Sequence, residues 1–492
     1  MLEINGLDFS FGEKLVFDKL SLLVSKAEHV VIVGDSGGGK STLLSLIADR
    51  NRPEIKLNKG ADSAMVLQEG ALLDHLSVID NLRLVDRYNG ASSASQGDSK
   101  IIATLNQLNI DENLFEANVS QLSGGQMRRV SIARALLKSP DLVLFDEPDA
   151  GLDLANLVAL AKTVTELSQA QEKTCVTVSH NPFYIAQVAN KVYRLQGGKL
   201  VLIADWPKPA QDQQELHTRQ LALQQQLEKV LEPNTGRVAQ SGREWTVSKW
   251  LKGVAVTAFS VIHVSKSPRD EAAVAAYTFY LSFISGLIFF ALVGLMLGST
   301  IIAVVKMLAD NALTGLVSYF IQPEKLIDMM GGRYVLYLAP AIGAMLFAAR
   351  SGSIMANWLG EMVRGKQKRA LELLGVPSQQ YLAAPSVVAL FCAMLCTICW
   401  FTLSVWLGGV LATQQLFDIS GAYTVMAVSG DDIQASLFWY KALIYSSIIS
   451  LTVVGLGLAP KKTAHQLNIH TTKTIIYSTL SIAFAELAII LL

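Results

Sequence analysis

The hydrophobic and polar positions divide this chain into two unlike parts. Up to about residue 205, short β-rich apolar runs such as "HVVIVG", "LVLFDEP" and "TCVTVSH" alternate with stretches of helical periodicity. This alternation is typical of an α/β domain. We therefore predict a soluble α/β domain over residues 1–205.

The second part of the chain has the hydropathy of membrane-spanning helices. A helix that crosses a bilayer needs about 20 apolar residues. Five stretches are uncharged, or nearly so, over a sufficient length: 272–305, 334–360, 373–417, 442–460 and 474–492. We therefore predict an all-α membrane domain of about five spans over residues 246–492.

Two segments of distinct composition, 206–245 and 246–265, lie between the α/β domain and the first predicted span. Residues 206–245 form a glutamine-rich linker with a partial helical stripe of leucines. This pattern indicates a helix that packs on the first domain or bridges the domains, with disorder as the alternative. Residues 246–265 carry Lys249 and Lys252 beside apolar side chains. We predict an interfacial helix on the inner leaflet there, with a true span as the alternative.

Loop charges orient the predicted spans. The loops after span two and after span four are basic. The loop between spans three and four carries Asp418, Asp431 and Asp432, and its one base, Lys441, lies at the edge of span four. Basic loops stay on the cytosolic side, so five spans place the C-terminus on the periplasmic side. The N-terminal stretch lacks the basic start and apolar core of a signal peptide. We therefore expect the first domain in the cytosol.

Composition and isolated charges narrow the function classes. The 492 residues are 51% hydrophobic and have zero formal net charge, so bulk charge gives no reason to expect a nucleic-acid partner. The four cysteines lack metal-ligand spacing. Arg350 and Glu486 are the notable charges within spans. For Arg350 we consider a lipid headgroup, the dimer seam or a structural hydrogen bond to a neighbouring span, and for Glu486 we favour a structural role.

The stretch "GDSGGGKST" predicts a phosphate-binding loop between a strand and a helix. Its G-x-x-x-x-G-K-S pattern lets backbone N–H groups surround a phosphate at a helix N-terminus. Lys40 would reach the outer phosphates, and Ser41 can ligate Mg²⁺. The predicted nucleotide-binding residues of this loop are Gly34, Asp35, Ser36, Gly37, Gly38, Gly39, Lys40, Ser41 and Thr42.

Two further motifs extend the predicted chemistry. The run "LVLFDEP" ends an apolar strand with Asp146 and Glu147. Asp146 suits Mg²⁺ coordination, and Glu147 suits polarisation of an attacking water. The run "QLSGGQMRRVSIARAL" is a second glycine-rich turn at the start of a helix, and therefore a second anion site. One nucleotide can use both sites only if two domains meet.

In their order along the chain, these motifs resemble the ATPase domain of ABC transporters over residues 1–203. The resemblance implies an α/β P-loop NTPase fold, ATP and Mg²⁺ as cofactors, and head-to-tail dimers. The implied catalytic residues are Glu147, His180 and Gln68, and the implied metal ligands are Ser41, Gln68 and Asp146. Further implied nucleotide contacts are Phe11, Ser123, Gly124, Gly125, Gln126 and Asp153. Of these, Ser123 and Gly125 would serve the nucleotide held by the other protomer.

The membrane half resembles MlaE-type permeases. The similarity is strongest over 339–388, "APAIGAMLFAARSGSIMANWLGEMVRGKQKRALELLGVPSQQYLAAPSVV", while Tyr337, Ala339 and Lys366 depart from the family pattern. The resemblance implies phospholipid transport across the Gram-negative envelope, an inner-membrane location and an Mce-domain periplasmic partner, with room for small regulatory subunits. One ATPase half and one permease half per chain imply a homodimer.

Residues 361–374 would then be a coupling helix seated near Gln68. A positive anchor on anionic lipid is a compatible alternative role. We expect the substrate pocket at the dimer interface, lined by spans one and five. Transport of another hydrophobic cargo, or a mechanotransmitting ATPase that moves a periplasmic partner without transport, are the alternative functions. Soluble ABC proteins that act on DNA or ribosomes are excluded by the five predicted spans.

Overall fold

The computed structural model describes most of the chain. The described residues are 2–12, 14–35, 37–49, 52–58, 60–68, 70–88, 94–169, 172–206, 213–228, 254–255, 257–258, 268–310, 334–417, 432–461 and 463–491. These residues divide into two compact units. The first unit comprises Met1–Arg243 and Gly365–Pro377, and the second comprises Glu244–Arg364 and Ser378–Leu492. Residues 365–377, hereafter the inserted segment, thus belong to the first unit although they lie between helices of the second.

The first unit contains two sheets. Its strands are β1 (Leu2–Phe11), β2 (Lys14–Val24), β3 (His29–Gly34), β4 (Ile55–Leu57), β5 (Ser63–Val66), β6 (Leu142–Asp146), β7 (Thr174–Val178), β8 (Lys191–Gln196) and β9 (Lys199–Asp205). The smaller sheet is antiparallel with the order β2-β1-β4. The larger sheet has the order β5-β6-β7-β3-β8-β9, and its pairs are parallel except for β8 with β9.

The first unit also contains helices that precede the inserted segment. They are α1 (Lys40–Asp49), α2 (Val78–Tyr88), α3 (Ala94–Gln107), α4 (Gly124–Leu136), α5 (Leu154–Gln169), α6 (Pro182–Val188) and α7 (Gln213–Glu228). Strands β6 and β7 are buried at every residue. This burial on both faces is typical of parallel strands and agrees with the continuous apolar run Leu142–Phe145 in β6. The predicted α/β fold of the first domain is confirmed.

The linker contains a helix that packs on the first unit. Helix α7 contacts α6, and Leu223 on α7 is buried. Arg219 of the same helix lies over the ring of Trp206, 4.8 Å from its centroid. The described part of the linker therefore follows the packed-helix alternative. The remainder of the linker and nearly all of the predicted interfacial helix at 246–265 lie outside the described residues.

The second unit is entirely helical within the described residues. Its long helices are α8 (Pro268–Ser282), α9 (Leu287–Asp310), α10 (Tyr334–Phe347), α11 (Ser353–Arg364), α13 (Ala384–Phe417), α14 (Asp432–Gly457) and α15 (Ala464–Leu491), while α12 (Gln367–Leu373) lies in the inserted segment. The stretches apolar and long enough to cross a membrane are Pro268–Val304, Val335–Arg364, Gln379–Leu416, Ser436–Gly457 and Ala464–Leu491. The prediction of about five spans is confirmed.

Arg350 joins two local irregularities in spans one and two. It lies in a π-helical turn at Ala348–Gly352, and span one has a 3₁₀ turn at Ile284–Gly286. The Arg350 guanidinium donates to the carbonyl of Ser285 at 2.6 Å. Such irregular turns leave carbonyl groups outside the regular helical bonding pattern. The observed contact is the structural hydrogen bond to a neighbouring span, one of the alternatives considered for this residue.

Glycines allow spans one and three to approach each other closely. A Cβ atom on Gly298 would lie 2.0 Å from the Val405 carbonyl oxygen, and one on Gly408 would lie 2.2 Å from the Leu295 carbonyl oxygen. The Ser299 hydroxyl also donates to the Gly408 carbonyl at 3.1 Å. Small residues and hydroxyl bonds of this kind drive helix association in lipid, where burial of apolar side chains contributes little.

The predicted coupling helix at 361–374 has different boundaries in the structure. Helix α11 ends at Arg364, and the separate helix α12 begins at Gln367. The break follows from the backbone of Lys366, which is left-handed with φ +59°. A left-handed residue cannot continue a right-handed helix. Only the later part of the predicted range is therefore a distinct short helix.

Candidate nucleotide site

The phosphate-binding loop connects β3 to α1 and depends on two glycines. Gly34 has φ +152°, and a Cβ atom there would lie 2.7 Å from the Leu195 carbonyl oxygen. Gly39 has φ +99°, and its Cβ would lie 2.6 Å from Val16 Cγ1. Both positions therefore exclude a side chain, which keeps the loop compact at the N-terminus of α1. Ser36 lies outside the described residues.

Lys40 is folded against this loop. Its ammonium group donates to the carbonyl oxygens of Gly34 and Asp35, each at 2.8 Å. Burial lowers the pKa of Lys40, while the nearby carboxylates of Glu147, Asp35 and Asp146 oppose that shift. The side chain therefore lies at the mouth of the anion-binding loop, where a phosphate oxygen can replace a carbonyl oxygen as acceptor.

Two of the predicted metal ligands contact each other. The Ser41 hydroxyl donates to Asp146 Oδ1 at 2.7 Å, and Asp146 is 1% exposed at the end of β6. A hydroxyl and a carboxylate are oxygen donors of the type that Mg²⁺ prefers. The chemistry of these two residues therefore fits a Mg²⁺ ion.

The three predicted catalytic side chains meet beside Asp146. Glu147 has a left-handed backbone, φ +47°, and its N–H donates to the Val178 carbonyl at 2.9 Å. Gln68 Nε2 donates to Glu147 Oε2 at 2.9 Å, and His180 Nε2 lies 3.7 Å from Glu147 Oε1. Burial, followed by the charge of Lys40, lowers the pKa of His180. The structure thus places Gln68 and His180 on either oxygen of the Glu147 carboxylate.

The second glycine-rich turn begins helix α4. Ser123 and Gln126 form a reciprocal capping box: Gln126 N donates to Ser123 Oγ at 3.3 Å, and Ser123 N donates to Gln126 Oε1 at 2.9 Å. Asp153 similarly accepts from the N–H of Asn156 at 2.8 Å at the start of α5. Gly125 lies against Asn156, where a Cβ atom would be 2.5 Å from Oδ1. Phe11 ends β1, and its side chain lies outside the described residues.

Comparisons with known proteins agree with these motifs. The profile of the family described as ABC transporter matches residues 17–150, and that described as Permease MlaE matches residues 275–492. The intermembrane phospholipid transport system ATP-binding protein MlaF of Escherichia coli (strain K12) is 32% identical over 218 residues, covering 41% of this chain and 81% of that protein. The chain belongs to the ABC transporter family.

Two other comparisons concern the ATPase half of this ABC transporter. The aliphatic sulfonates import ATP-binding protein SsuB of Rhodopseudomonas palustris is 33% identical over 222 residues, covering 43% of this chain and 76% of that protein. Among solved structures, the ATP-binding cassette MJ0796 in a dimeric post-hydrolysis state with ADP and Pi is 25% identical, covers 41% of this chain and 96% of that chain, and has a TM-score of 0.37. The two family matches and the similarity to MlaF show that the transporter joins an MlaF-like, ATP-hydrolysing domain to an MlaE-type permease domain.

Sequence reasoning missed two residues that shape the ATPase site. Arg134 of α4 is buried, and its guanidinium donates to the carbonyls of Gly70 and Ala71, each at 2.9 Å. Burial lowers the pKa of Arg134 to about 10. Asp149 accepts from the Ser179 hydroxyl at 2.9 Å, directly before His180. Arg134 thus links α4, the helix that follows Ser123, to the loop that follows Gln68. The signal in the sequence that could have indicated this role was an arginine between apolar residues in "VSIARAL".

The inserted segment of the transporter packs beside Gln68. Ala370 of α12 contacts Leu67 and Ala71, which lie on either side of Gln68 in sequence. Polar contacts fasten both ends of α12: Gln367 Nε2 donates to Asp74 at 3.1 Å, and Lys138 Nζ donates to the Leu373 carbonyl at 2.9 Å. This packing is consistent with the predicted coupling helix, whose role stays a prediction.

Lys366 reaches the predicted metal ligands from the inserted segment. Its Nζ lies 3.3 Å from Asp146 Oδ2, the oxygen that Ser41 does not contact. The sequence placed Lys366 in a basic loop, within the predicted coupling helix at 361–374 near Gln68, and as a departure from the permease pattern, but it gave no contact with Asp146. The two residues are 220 positions apart, so the pattern along the chain carries no signal for their contact.

The permease domain encloses a second charge network that the sequence indicated only in part. Lys441 of α14 is fully buried, and its Nζ lies 2.5 Å from Glu486 Oε1 on α15. Lys441 also donates to the Tyr337 carbonyl at 3.2 Å and lies 3.4 Å from the centroid of that ring. Tyr445 donates to the other oxygen of Glu486. Glu486 was predicted to be structural, whereas Lys441 was placed at the edge of span four and is in fact a buried partner.

Proposed function

We propose that this transporter moves phospholipids, or similar lipids, between the inner membrane and an Mce-type periplasmic partner, and that it works as a homodimer of fused ATPase–permease chains. The observation that carries the proposal is the MlaE permease match over 275–492 in the same chain as an MlaF-like ATPase domain. The predicted inner-membrane location and periplasmic C-terminus follow from the basic loops after spans two and four.

Within each ATPase domain, the loop at Gly34–Thr42 would hold the phosphates of ATP, with Lys40 on the outer phosphates. Ser41, Gln68 and Asp146 would hold Mg²⁺, which when bound neutralises charge on the phosphate oxygens. Glu147 would polarise the attacking water, since its carboxylate is held between Gln68 and His180. His180 would orient this carboxylate and the outer phosphate.

The motif at Ser123 supports the proposed head-to-tail dimer. Ser123, Gly124 and Asp153 are exposed on the first unit, so the starts of α4 and α5 can face a second chain. The N-terminus of α4 carries free N–H groups and a partial positive charge, which suits a phosphate. We propose that Ser123 to Gln126 and Asp153 contribute to the nucleotide held by the other protomer, and that Phe11 stacks on adenine.

The class of substrate is inferred from the permease half of the transporter. SsuB is as similar in sequence to this chain as MlaF is, and it is named as an aliphatic sulfonates import protein. Similarity of the ATPase half alone therefore does not identify a lipid as the substrate. Described residues of the spans are apolar on most exposed positions, which suits a lipid-sized apolar substrate at the proposed dimer interface. Another hydrophobic cargo, or movement of a partner without transport, would give different outcomes in the test.

The test combines composition and transfer. The purified dimer would be analysed by mass spectrometry for co-purifying lipids and proteins, and then reconstituted in vesicles to follow labelled phospholipid with ATP. We expect a stoichiometric phospholipid, an Mce-like protein, and transfer that is lost in Glu147→Gln. Absence of an enriched phospholipid and of ATP-dependent transfer would reject lipid transport. ATP-dependent movement of a partner without lipid transfer would instead support mechanotransmission.

A further inference from the structure

Lys366 places a cation from the inserted segment inside the ATPase site. Its Nζ lies 3.3 Å from Asp146 Oδ2, and the Asp146 side chain is 2% exposed. The other oxygen of this carboxylate accepts from Ser41. A buried carboxylate is unfavourable without a compensating charge or hydrogen bonds. Among the described residues, the ion pair found for Asp146 is the one with Lys366, which supplies the compensating positive charge.

The position of Lys366 is fixed by the packing around it. Gln367 bonds Asp74, Arg369 forms an ion pair with Asp49, and Ala370 packs against Leu67 and Ala71. Lys366 itself has a left-handed backbone with φ +59°. Non-glycine residues adopt this conformation at an energetic cost, and such positions concentrate at functional sites. Contacts of the neighbouring residues and the left-handed backbone thus independently indicate that the backbone of Lys366 is fixed within reach of Asp146, while its side chain can still move.

We propose that Lys366 pairs with Asp146 when no divalent cation is bound there and leaves this carboxylate when Mg²⁺ binds with the nucleotide. The inserted segment would thereby detect directly whether the nucleotide site is loaded. This inference rests on the proposed function, specifically on Asp146 as a Mg²⁺ ligand, and adds to it a positioning residue contributed by the sequence between spans two and three.

Lys366 would leave Asp146 because its ammonium group and a divalent cation compete for the same carboxylate. Asp146 has two oxygens, one bonded to Ser41 and one paired with Lys366. An ammonium group and a divalent cation on the same carboxylate would repel each other strongly in a partly dry site. Lys366 is 44% exposed along its side chain, so it has solvent into which it can move. Its neighbour Lys368 forms no ion pair among those found for the described residues and therefore provides a matched control.

The first test is a zero-length cross-link on the unmodified, full-length transporter. A carbodiimide activates a carboxyl group, and an adjacent lysine amine attacks it to form an amide while the reagent leaves as its urea. We expect a 146–366 cross-linked peptide by mass spectrometry without nucleotide, and also with AMP-PNP plus EDTA. With AMP-PNP plus Mg²⁺ we expect the yield to fall at least ~10-fold, because loading must shift most of the population.

Nucleotide binding would be measured on the same samples with a fluorescent analogue. An unchanged cross-link in samples that bind Mg²⁺ and nucleotide would overturn the inference while leaving the proposed function intact. Absence of the 146–366 peptide in every state would also overturn it. Failure to bind nucleotide at all would refute the proposed nucleotide site and, with it, this inference.

The second test measures the Mg²⁺ concentration that gives half-maximal tight binding of AMP-PNP. Removing the competitor in Lys366→Met should lower this concentration by roughly 3- to 10-fold, whereas Lys368→Met should leave it unchanged. Lys366→Arg keeps the charge and should restore a value near that of the unmodified protein. An unchanged or raised value in Lys366→Met would show that Lys366 does not compete for Asp146.

Discussion

At the residue scale, the ATPase site depends on side chains held by unusual backbone and by burial. Glu147 has a left-handed backbone at the end of a strand, and its N–H bonds the Val178 carbonyl of the neighbouring strand. That arrangement directs its carboxylate toward Gln68 and His180. Such strained positions recur where geometry serves chemistry.

Replacing Glu147 by Gln tests its chemical role. The amide retains the size of the side chain but loses the charge that polarises water, so hydrolysis should fall by ~10²- to 10⁴-fold. Nucleotide binding should persist, because the loop at Gly34–Thr42 and Lys40 are unchanged. Phosphate release and equilibrium nucleotide binding would be measured, with Glu166→Gln on an exposed face of α5 as control. Normal turnover in Glu147→Gln would assign the role to another residue.

His29 predicts an acid-sensitive core in the first unit. It is fully buried in β3, and Nε2 lies 2.8 Å from the Thr177 hydroxyl. Burial lowers the pKa of His29 from 6.5 to about 3. The unfolded chain therefore binds the extra proton between these values, and stability falls as pH decreases from 6.5 toward 3, by about 1.4 kcal/mol per pH unit well below 6.5.

Hydrogen–deuterium exchange of peptides from β3 and β7 would measure this slope in the full chain. We expect the opening free energy to decrease from pH 6.5 to pH 5 in the unmodified protein. The slope should flatten in His29→Gln and persist in His217→Gln, where the replaced residue is exposed on α7. Equal slopes in all three proteins would show that His29 does not carry the pH dependence.

At the element scale, the spans associate through small residues and a few buried polar groups. Spans one and three approach closely where Gly298 and Gly408 face the backbone of the opposite helix. Spans two, four and five meet around the ion pair of Lys441 and Glu486. In a bilayer these features carry helix association, since the lipid is as apolar as the side chains. Each feature can be tested with a matched variant.

Two adjacent glycines in span three should respond differently to alanine. A Cβ on Gly408 would lie 2.2 Å from the Leu295 carbonyl oxygen, whereas the nearest atom to a Cβ on Gly409 is Ile302 Cγ1 at 3.9 Å. We expect Gly408→Ala to destabilise the permease domain by about 1–3 kcal/mol through overpacking, and Gly409→Ala to be nearly neutral. Thermal unfolding in detergent would measure both; equal transitions would contradict the close approach.

The Lys441–Glu486 pair predicts non-additive variants. Lys441→Met leaves the Glu486 carboxylate without its cation, which should destabilise the domain by about 3–5 kcal/mol. Adding Glu486→Gln removes the uncompensated charge, so the double variant should recover much of that loss. Thermal unfolding of the two single variants and the double variant would give the coupling. Additive losses would show that the two side chains do not act as a pair.

At the scale of the whole molecule, one ATPase domain and one permease domain share a polypeptide, and the proposed homodimer would bring together two of each. The proposed dimer predicts that Lys40 and Ser123 of different chains serve the same nucleotide. A Lys40→Ala chain co-expressed with a Ser123→Arg chain would then form mixed dimers with one intact nucleotide site. A homodimer of either variant would have no intact site.

Differently tagged chains would allow purification of that mixed dimer. We expect vanadate-trapped nucleotide in the mixed dimer and none in either parent homodimer, because only the mixed dimer retains one site with both residues. If Ser123 acted on the nucleotide of its own chain, both sites of the mixed dimer would be defective. Absence of trapping in a folded mixed dimer would therefore contradict the head-to-tail arrangement.

Several features were determined by the sequence itself because they depend on consecutive residues. The phosphate-binding loop is defined by glycines and a lysine at fixed spacing, and local backbone freedom decides its conformation. The five spans follow from the transfer free energy of about 20 neighbouring side chains. The meeting of Gln68, Glu147 and His180 is a partial case: the motifs predicted it only through their resemblance to a family, and the structure supplied the distances.

The pairing of distant charges depends on the folded structure. Lys366 was predicted to lie in a basic segment near Gln68, yet its pairing with Asp146, 220 positions away, had no signal in the sequence. Lys441 appeared to end a span, yet it is fully buried against Glu486. Arg134 appeared to be one residue of a helix, yet it binds the carbonyls beyond Gln68. A pattern along the chain records which side chains must be buried, whereas the partner of a buried charge depends on long-range packing that the pattern does not contain.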